Sequence, residues 1–210
     1  MHARIVTPWR AHYGVRNLMI TALQILQAEA IAIRQAEDAI FSDSFQRLCM
    51  ALSSLRRLGK KAVVSGVGKS AIVARKIAAT MATVCIPAVF IDPIGLYHGE
   101  LGTVIENDIV LLVSHSGKTE ELLRLLIPLR TIGARVYSLV SWGDSPLGLL
   151  DNAIITGVRA EAYLMIPTAS SAAAIAVGDA AACRAAQIAG HDVDHLAVVH
   201  PGGDIGQRLR

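Results

Sequence analysis

Aromatic residues are scarce in this 210-residue chain, at 4% of positions, so its interior must be built from aliphatic and small side chains. A surplus of one charge is lacking too. There are 20 Lys and Arg against 17 Asp and Glu, a formal net charge of +3. No Lys/Arg run reaches the density of a phosphate-backbone binder, which argues against a nucleic-acid partner. Cysteine is limited to Cys49, Cys85 and Cys183, each in apolar surroundings and none in a metal-like pair. Reduced, buried thiols without a metal are the expectation. Mean hydropathy is +0.47, yet the apolar runs are too short to span a bilayer. The Ala-rich segment from Ala172 to Ala189 carries Asp179, Arg184 and Gln187, as a packed helix does. The first residues, Met1-His2-Ala3-Arg4-Ile5, show no apolar signal core. A cytoplasmic protein with no membrane partner is expected.

Proline and glycine are both missing from residues 17–58. Apolar residues at helical spacing (Leu18, Leu23, Leu26, then Ile40, Phe45, Leu48, Leu55) predict two helices, over residues 17–33 and 36–58. Gly59 supplies the stop. From Ala62 onward, short apolar runs alternate with helical patterns. Strands are predicted at 62–65, 88–91, 108–114, 135–140 and 153–156. Helices are predicted at 68–83, at 119–130 (bent or ended near Pro128), at 145–150 behind a serine cap, and at 167–188. Such alternation means an α/β fold, a three-layer sandwich with a five-stranded parallel, doubly wound (flavodoxin-like) sheet between helices. Ligands bind such sheets at the carboxyl ends of the strands.

The most informative stretch is Ser114-His115-Ser116-Gly117-Lys118-Thr119-Glu120-Glu121, directly after the apolar run 108–113. A buried strand, then a loop of hydroxyls and glycine, then a helix start makes an anion site. Gly117 allows close backbone approach, Ser114, Ser116 and Thr119 offer hydroxyls, and the glutamates suit the helix's positive end. A phosphorylated small molecule is implied.

Ser65-Gly66-Val67-Gly68-Lys69-Ser70 opens the helix after the first strand. A Walker loop would require glycine where Val63 stands, which argues against a P-loop NTPase. Gly66-Val67-Gly68, with Asp92 downstream, also fits a dinucleotide fingerprint, but that reading leaves Lys69 and the serine loop unexplained. His98-Gly99-Glu100 lies beyond the second strand and by itself reads as a solvent-facing loop. Glu161 follows the fifth strand, where it either meets substrate or pairs with Arg159. Pro167-Thr168-Ala169-Ser170-Ser171 starts the last long helix, as a second anion site or a plain N-cap. His200 precedes Pro201-Gly202-Gly203, and an imidazole moves protons readily near neutral pH.

Together these segments, with Arg75 to Thr80, Ser145-Pro146-Leu147-Gly148 and Gly178-Asp179, resemble the sugar isomerase (SIS) domain and, within it, the arabinose-5-phosphate isomerase family. The resemblance covers residues 30–210 and divides the chain into a helical segment, 1–58, and a SIS domain, 59–210, as one structural unit. It implies interconversion of ribulose 5-phosphate and arabinose 5-phosphate, feeding Kdo and lipopolysaccharide synthesis, without a cofactor. It also implies homotetramers (or dimers) with active sites at subunit boundaries. By motif, Ser65, Gly66, Ser114, Ser116, Gly117 and Thr119 match phosphate- or substrate-binding positions, and His98 lines the site. Lys69, Glu121, Glu161 and His200 match catalytic positions, with Glu161 favoured over Glu121 as carbon base. Two departures stand out. The segment between Glu161 and Pro167 is shorter than is usual in that family, which bears on the sugar used. The CBS domains that commonly follow the His-Pro-Gly-Gly segment are absent from this sequence, so regulation through them is not expected. Another sugar phosphate, a hexulose or heptose phosphate, and a non-catalytic sugar-phosphate sensor are the alternatives.

Overall fold

The computed structural model describes residues 20–208; the start of the helix expected from residue 17 lies outside that range. Three helices lead: α1 (Ala22–Gln35), α2 (Glu37–Ile40) and α3 (Asp43–Leu58). Where one helix was expected over 36–58, the chain breaks at Phe41-Ser42 because Ser42 caps α3. Its Oγ accepts from the Phe45 amide at 3.2 Å and donates to the Ala39 carbonyl at 2.7 Å. The α/β part then runs β1 (Ala62–Gly66), α4 (Lys69–Thr83), β2 (Ala88–Phe90), α5 (Pro93–Tyr97), a 3-10 turn, β3 (Ile109–Ser114), α6 (Glu120–Leu123), α7 (Leu126–Ile132), β4 (Arg135–Val140), β5 (Ala153–Ile155) and α8 (Ala169–Ala189). Two short helices, α9 (Val193–Val199) and α10 (Gly203–Arg208), close the described chain. The sequence pattern did not anticipate them.

All strands are parallel, in the order β2-β1-β3-β4-β5. The order reverses between β1 and β3, so a crevice forms above their carboxyl ends. Central β1 and β3 are buried throughout, which is why they read as unbroken apolar runs. The pleat sends alternate residues to opposite faces. Val64, Leu111, Val113, Leu139 and Ile154 pack with α1–α4 and α8, whereas Val63, Val110, Leu112 and Val140 pack with Leu96, Leu122 and Leu129 of α5–α7. Each fully buried Leu or Ile contributes roughly 1.5–3 kcal/mol. At the amino end of the sheet, buried Asp108 ties β1 to β3 by accepting from the Lys61 amide (3.0 Å) and Lys61 Nζ (2.5 Å).

Proline and serine adjust two further expectations. The helix expected at 119–130 is split at Arg124-Leu125, one turn before Pro128, whose ring has no N–H for the Arg124 carbonyl and crowds it. Ser145 does accept from the Gly148 amide at 3.1 Å, but the segment after it stays a series of turns and is not a helix. Helix α8 is the one described helix long and apolar enough to cross a membrane by length and composition. It is an interior element here. Its Ala173, Val177, Ala181 and Ala185 sit in the core with α1, α3 and α4, and its Asp179 pairs with Lys76.

Candidate functional site at the carboxyl edge of the sheet

A pocket of about 230 Å³ opens above β1, β3, β4 and β5, between the amino ends of α4 and α8, with Lys69, Ser114, His115, Ser141, Thr156 and Ser170 among its lining. The pleat divides the polar groups around it. Ser114 continues the α6-facing alternation of β3, and His115 therefore turns to the α8 side.

On the α6 side, Ser114 Oγ meets Thr119 Oγ1 at 2.8 Å and accepts from the Gly117 amide at 3.0 Å. Ser116 Oγ accepts from the Lys118 amide at 3.2 Å. Gly117 holds φ +64°, and a Cβ there would lie 1.9 Å from Ser145 Oγ, so the turn requires glycine. Ser116 is exposed. The amides of Ser116 and Thr119 find no acceptor among the described residues, leaving donors for an anion.

At β1, Gly66 lies so close to the Ser70 and Val113 carbonyls that a Cβ would approach them within 2.8 and 3.0 Å. Buried Ser65 donates its Oγ proton to the Ile91 carbonyl at 2.7 Å, retaining acceptor capacity only. Lys69 is the first residue of α4 and extends into the pocket, forming no ion pair among the described residues. Asp92, the residue a dinucleotide reading would use, instead caps α5 by accepting from the Ile94 amide at 2.9 Å.

Glu161 does not pair with Arg159, which reaches Asp144 and stacks on Trp142. Its carboxylate caps α8. One oxygen accepts from the amides of Thr168 (2.9 Å) and Ser170 (3.2 Å), and the other accepts from Ser170 Oγ. The helix end predicted as a second anion site is thus occupied by the chain's own carboxylate, a favourable charge there. Ser170 joins this carboxylate to the pocket wall. Thr168 Oγ1 is buried beside it and finds no partner among the described residues.

Of the predicted site residues, Lys69 and Ser114 line the pocket, Ser65, Gly66, Ser116, Gly117, Thr119 and Glu161 adjoin those that do, and the remaining three lie apart. Glu121 is exposed in the first turn of α6, and His98 is exposed at the end of α5. His200 ends α9, donating Nδ1–H to the Leu196 carbonyl at 2.8 Å. Helix α8 carries the chain about 30 Å away from the pocket, to where His191 bonds the Val84 carbonyl and the Cys85 thiol reaches the His195 carbonyl. Val84 and Cys85 precede β2, so α9 packs at the edge opposite the pocket. Conversely, His115 carried no assigned role in the sequence reading. Its Nδ1 is 3.0 Å from Ser141 Oγ, which is 3.1 Å from Thr156 Oγ1. The signal was positional: the first residue beyond a central strand, on the opposite pleat face from Ser114.

Thiol exposure is less uniform than expected. Burial pushes the Cys49 thiol up to about 11, whereas the side-chain hydrogen bond from His195 holds Asp192 below its ordinary value. Cys49 and Cys85 are buried as expected, but Cys183 is exposed, because it falls on the face of α8 opposite its packed alanines. Among the described residues no group of His, Cys, Asp and Glu is arranged to hold a metal ion.

The SIS domain family model matches residues 57–184. Arabinose 5-phosphate isomerase KpsF of Escherichia coli O6:H1 is 31% identical over 195 residues, covering 91% of this chain and 59% of the relative. Arabinose 5-phosphate isomerase KdsD of Pseudomonas aeruginosa is 34% identical over 185 residues, covering 84% and 55%. The chain therefore spans little more than half the length of these relatives. A solved Escherichia coli CFT073 protein in complex with arabinose 5-phosphate superposes with TM-score 0.77 at 32% identity, covering 85% of this chain and 95% of that one. With the family model spanning more than half of the sequence, the chain belongs to the SIS-domain family.

Proposed function

We propose that this protein is an aldose–ketose isomerase that interconverts ribulose 5-phosphate and arabinose 5-phosphate through an enediol. The observation that carries this reading is one pocket lined by Ser114, Lys69 and Ser170, with the rest of the hydroxyl loop adjoining it behind Ser114 and the Glu161 carboxylate behind Ser170. The names of the relatives and the sugar-phosphate complex of the structural neighbour support it.

The reaction needs a clamp for phosphate, a cation for the developing enediolate oxygen, and a base for a carbon-bound proton. The Ser114–Thr119 loop is the clamp, with Gly66 and Ser65 forming the adjacent floor. Lys69 neutralises phosphate or enediolate oxygen. Glu161 is the carbon base, fixed in place by α8, and Glu121 and His98 orient substrate hydroxyls from the rim. His200 serves ring opening from a neighbouring protomer, in a homotetramer or dimer whose sites lie at subunit boundaries. The setting is cytoplasmic, supplying Kdo for lipopolysaccharide, with no cofactor.

A non-catalytic sugar-phosphate sensor is the second reading, favoured by one observation: both oxygens of Glu161 are committed to α8. Incubation with ribulose 5-phosphate, arabinose 5-phosphate, and a hexulose and a heptose phosphate separates the possibilities. Interconversion of the pentose pair is expected. Saturable binding without interconversion of any of them overturns the isomerase reading in favour of the sensor, and turnover of another pair alone overturns the substrate assignment.

A further inference from the structure

We propose that His115 is a catalytic residue of this pocket, exchanging a proton with the sugar oxygens through Nε2, and that Ser141 and Thr156 are positioning residues that hold its ring. The proposal deepens the isomerase reading and rests on it. Enediol chemistry requires one proton to leave an oxygen and another to reach its neighbour, and the α6-side carboxylate Glu121 is exposed and outside the pocket lining. The chain's other candidate imidazole for that task, His200, sits at the far edge of its own protomer. His115 is already in the lining.

Its orientation is built into the sheet. His115, Ser141 and Thr156 follow or end β3, β4 and β5, and all three fall on the α8 side of the pleat. Ser141 and Thr156 are buried, at 4% and 1% exposure, so their hydroxyls have few alternatives to each other and to the ring. Nδ1 lies 3.0 Å from Ser141 Oγ, and Ser141 Oγ lies 3.1 Å from Thr156 Oγ1. With Nδ1 engaged by Ser141, whichever of the two donates, the ring nitrogen open to proton exchange is Nε2. Nε2 makes no hydrogen bond among the described residues and is left for substrate. Glu161, through Ser170, stands on the same side of the sheet.

Glu161 takes the C2 proton of the aldose, the C–H pair forms the C1=C2 bond, and the carbonyl pair moves to O1, which takes the proton from Nε2. Nε2 then removes the O2 proton as C2=O forms, and the C1=C2 pair takes the proton back from Glu161 at C1. His115 and Glu161 end as they began. His200 is thereby left for ring opening.

The test uses His115→Asn, His115→Gln, Ser141→Ala and the double variant His115→Asn/Ser141→Ala, each checked for an unchanged thermal midpoint. Steady-state kinetics use arabinose 5-phosphate. Losing a proton-transfer group costs about a hundred- to ten-thousandfold in rate, so both His115 variants are expected to lose at least about a hundredfold in kcat with KM within about threefold. Ser141→Ala is expected to lose a smaller factor, and to lose nothing further in the His115→Asn background, because a positioning residue has nothing left to position. Unchanged kcat, a rise in KM alone, or full additivity of Ser141→Ala overturns the assignment while leaving the isomerase reading standing. A wild type inactive on every pentose, hexulose and heptose phosphate overturns both.

Discussion

Gly117 is the point at which the anion loop is most tightly specified, and Gly117→Ala turns that into a measurable energy. The added methyl has two costs. At φ +64° an L side chain costs about 1–2 kcal/mol. The new Cβ would also lie 1.9 Å from Ser145 Oγ, so Ser145 must move. That movement breaks its bonds to the Trp142 carbonyl and the Gly148 amide (2.5 and 3.1 Å), at about 1 kcal/mol each. Reduced freedom of the unfolded chain offsets about 0.4–1 kcal/mol. The net is about 2–3.5 kcal/mol of lost stability, or roughly 4–14 °C in Tm for a chain of this size. Because Gly117 also donates to Ser114 and accepts from Leu147, the loop donors shift with it, and KM for a sugar phosphate rises more than kcat falls. Thermal unfolding at fixed protein concentration and steady-state kinetics read the two effects. Pairing with Ser145→Gly removes the obstructing side chain, so the double variant should lose less than the sum of the singles. Wild-type stability in Gly117→Ala, or strict additivity with Ser145→Gly, would refute the reasoning.

Further expectations concern the core and the thiols. Gly178 of α8 faces Ile77 of α4 so closely that a Cβ would come within 2.4 Å. Gly178→Ala should therefore cost about 1–3 kcal/mol by overpacking, less in an Ile77→Ala background, as chemical denaturation can show. Of Cys49, Cys85 and Cys183, only the exposed Cys183 should react rapidly with a thiol reagent at pH 8, and all three should react once the protein is unfolded. Since burial raises the Cys49 thiol from 9.0 to about 11, its contribution to stability is fully present below pH 9 and is lost as pH climbs toward 11. A Cys49→Ala variant should show a shallower loss of stability across that window.

The central architecture was legible because its signals are local. The unbroken apolar runs of β1 and β3, the glycine-bearing turn after each, and the resemblance in the strand-end motifs led to the parallel sheet and its crevice. Boundaries were less legible where one side chain decides them. Ser42 ends one helix and caps another, and Pro128 acts a full turn before its own position. The contacts of Glu161 and His115 were hidden for a different reason. A carboxylate that caps a helix seven residues onward, and an imidazole tethered to hydroxyls on two other strands, depend on contacts that close only when the chain folds. Spacing alone does not reveal them.

The carboxylate at the mouth of α8 offers the most direct test of the account. Arabinose 5-phosphate is incubated in heavy water with wild-type protein and with Glu161→Gln, and NMR follows loss of the hydrogen on C2. Wild type should exchange that hydrogen with solvent and form ribulose 5-phosphate. Glu161→Gln, still folded though short of one cap bond, should lose about a hundredfold or more of both. Exchange at the wild-type rate in the glutamine variant would contradict the claim that this carboxylate moves the carbon-bound proton.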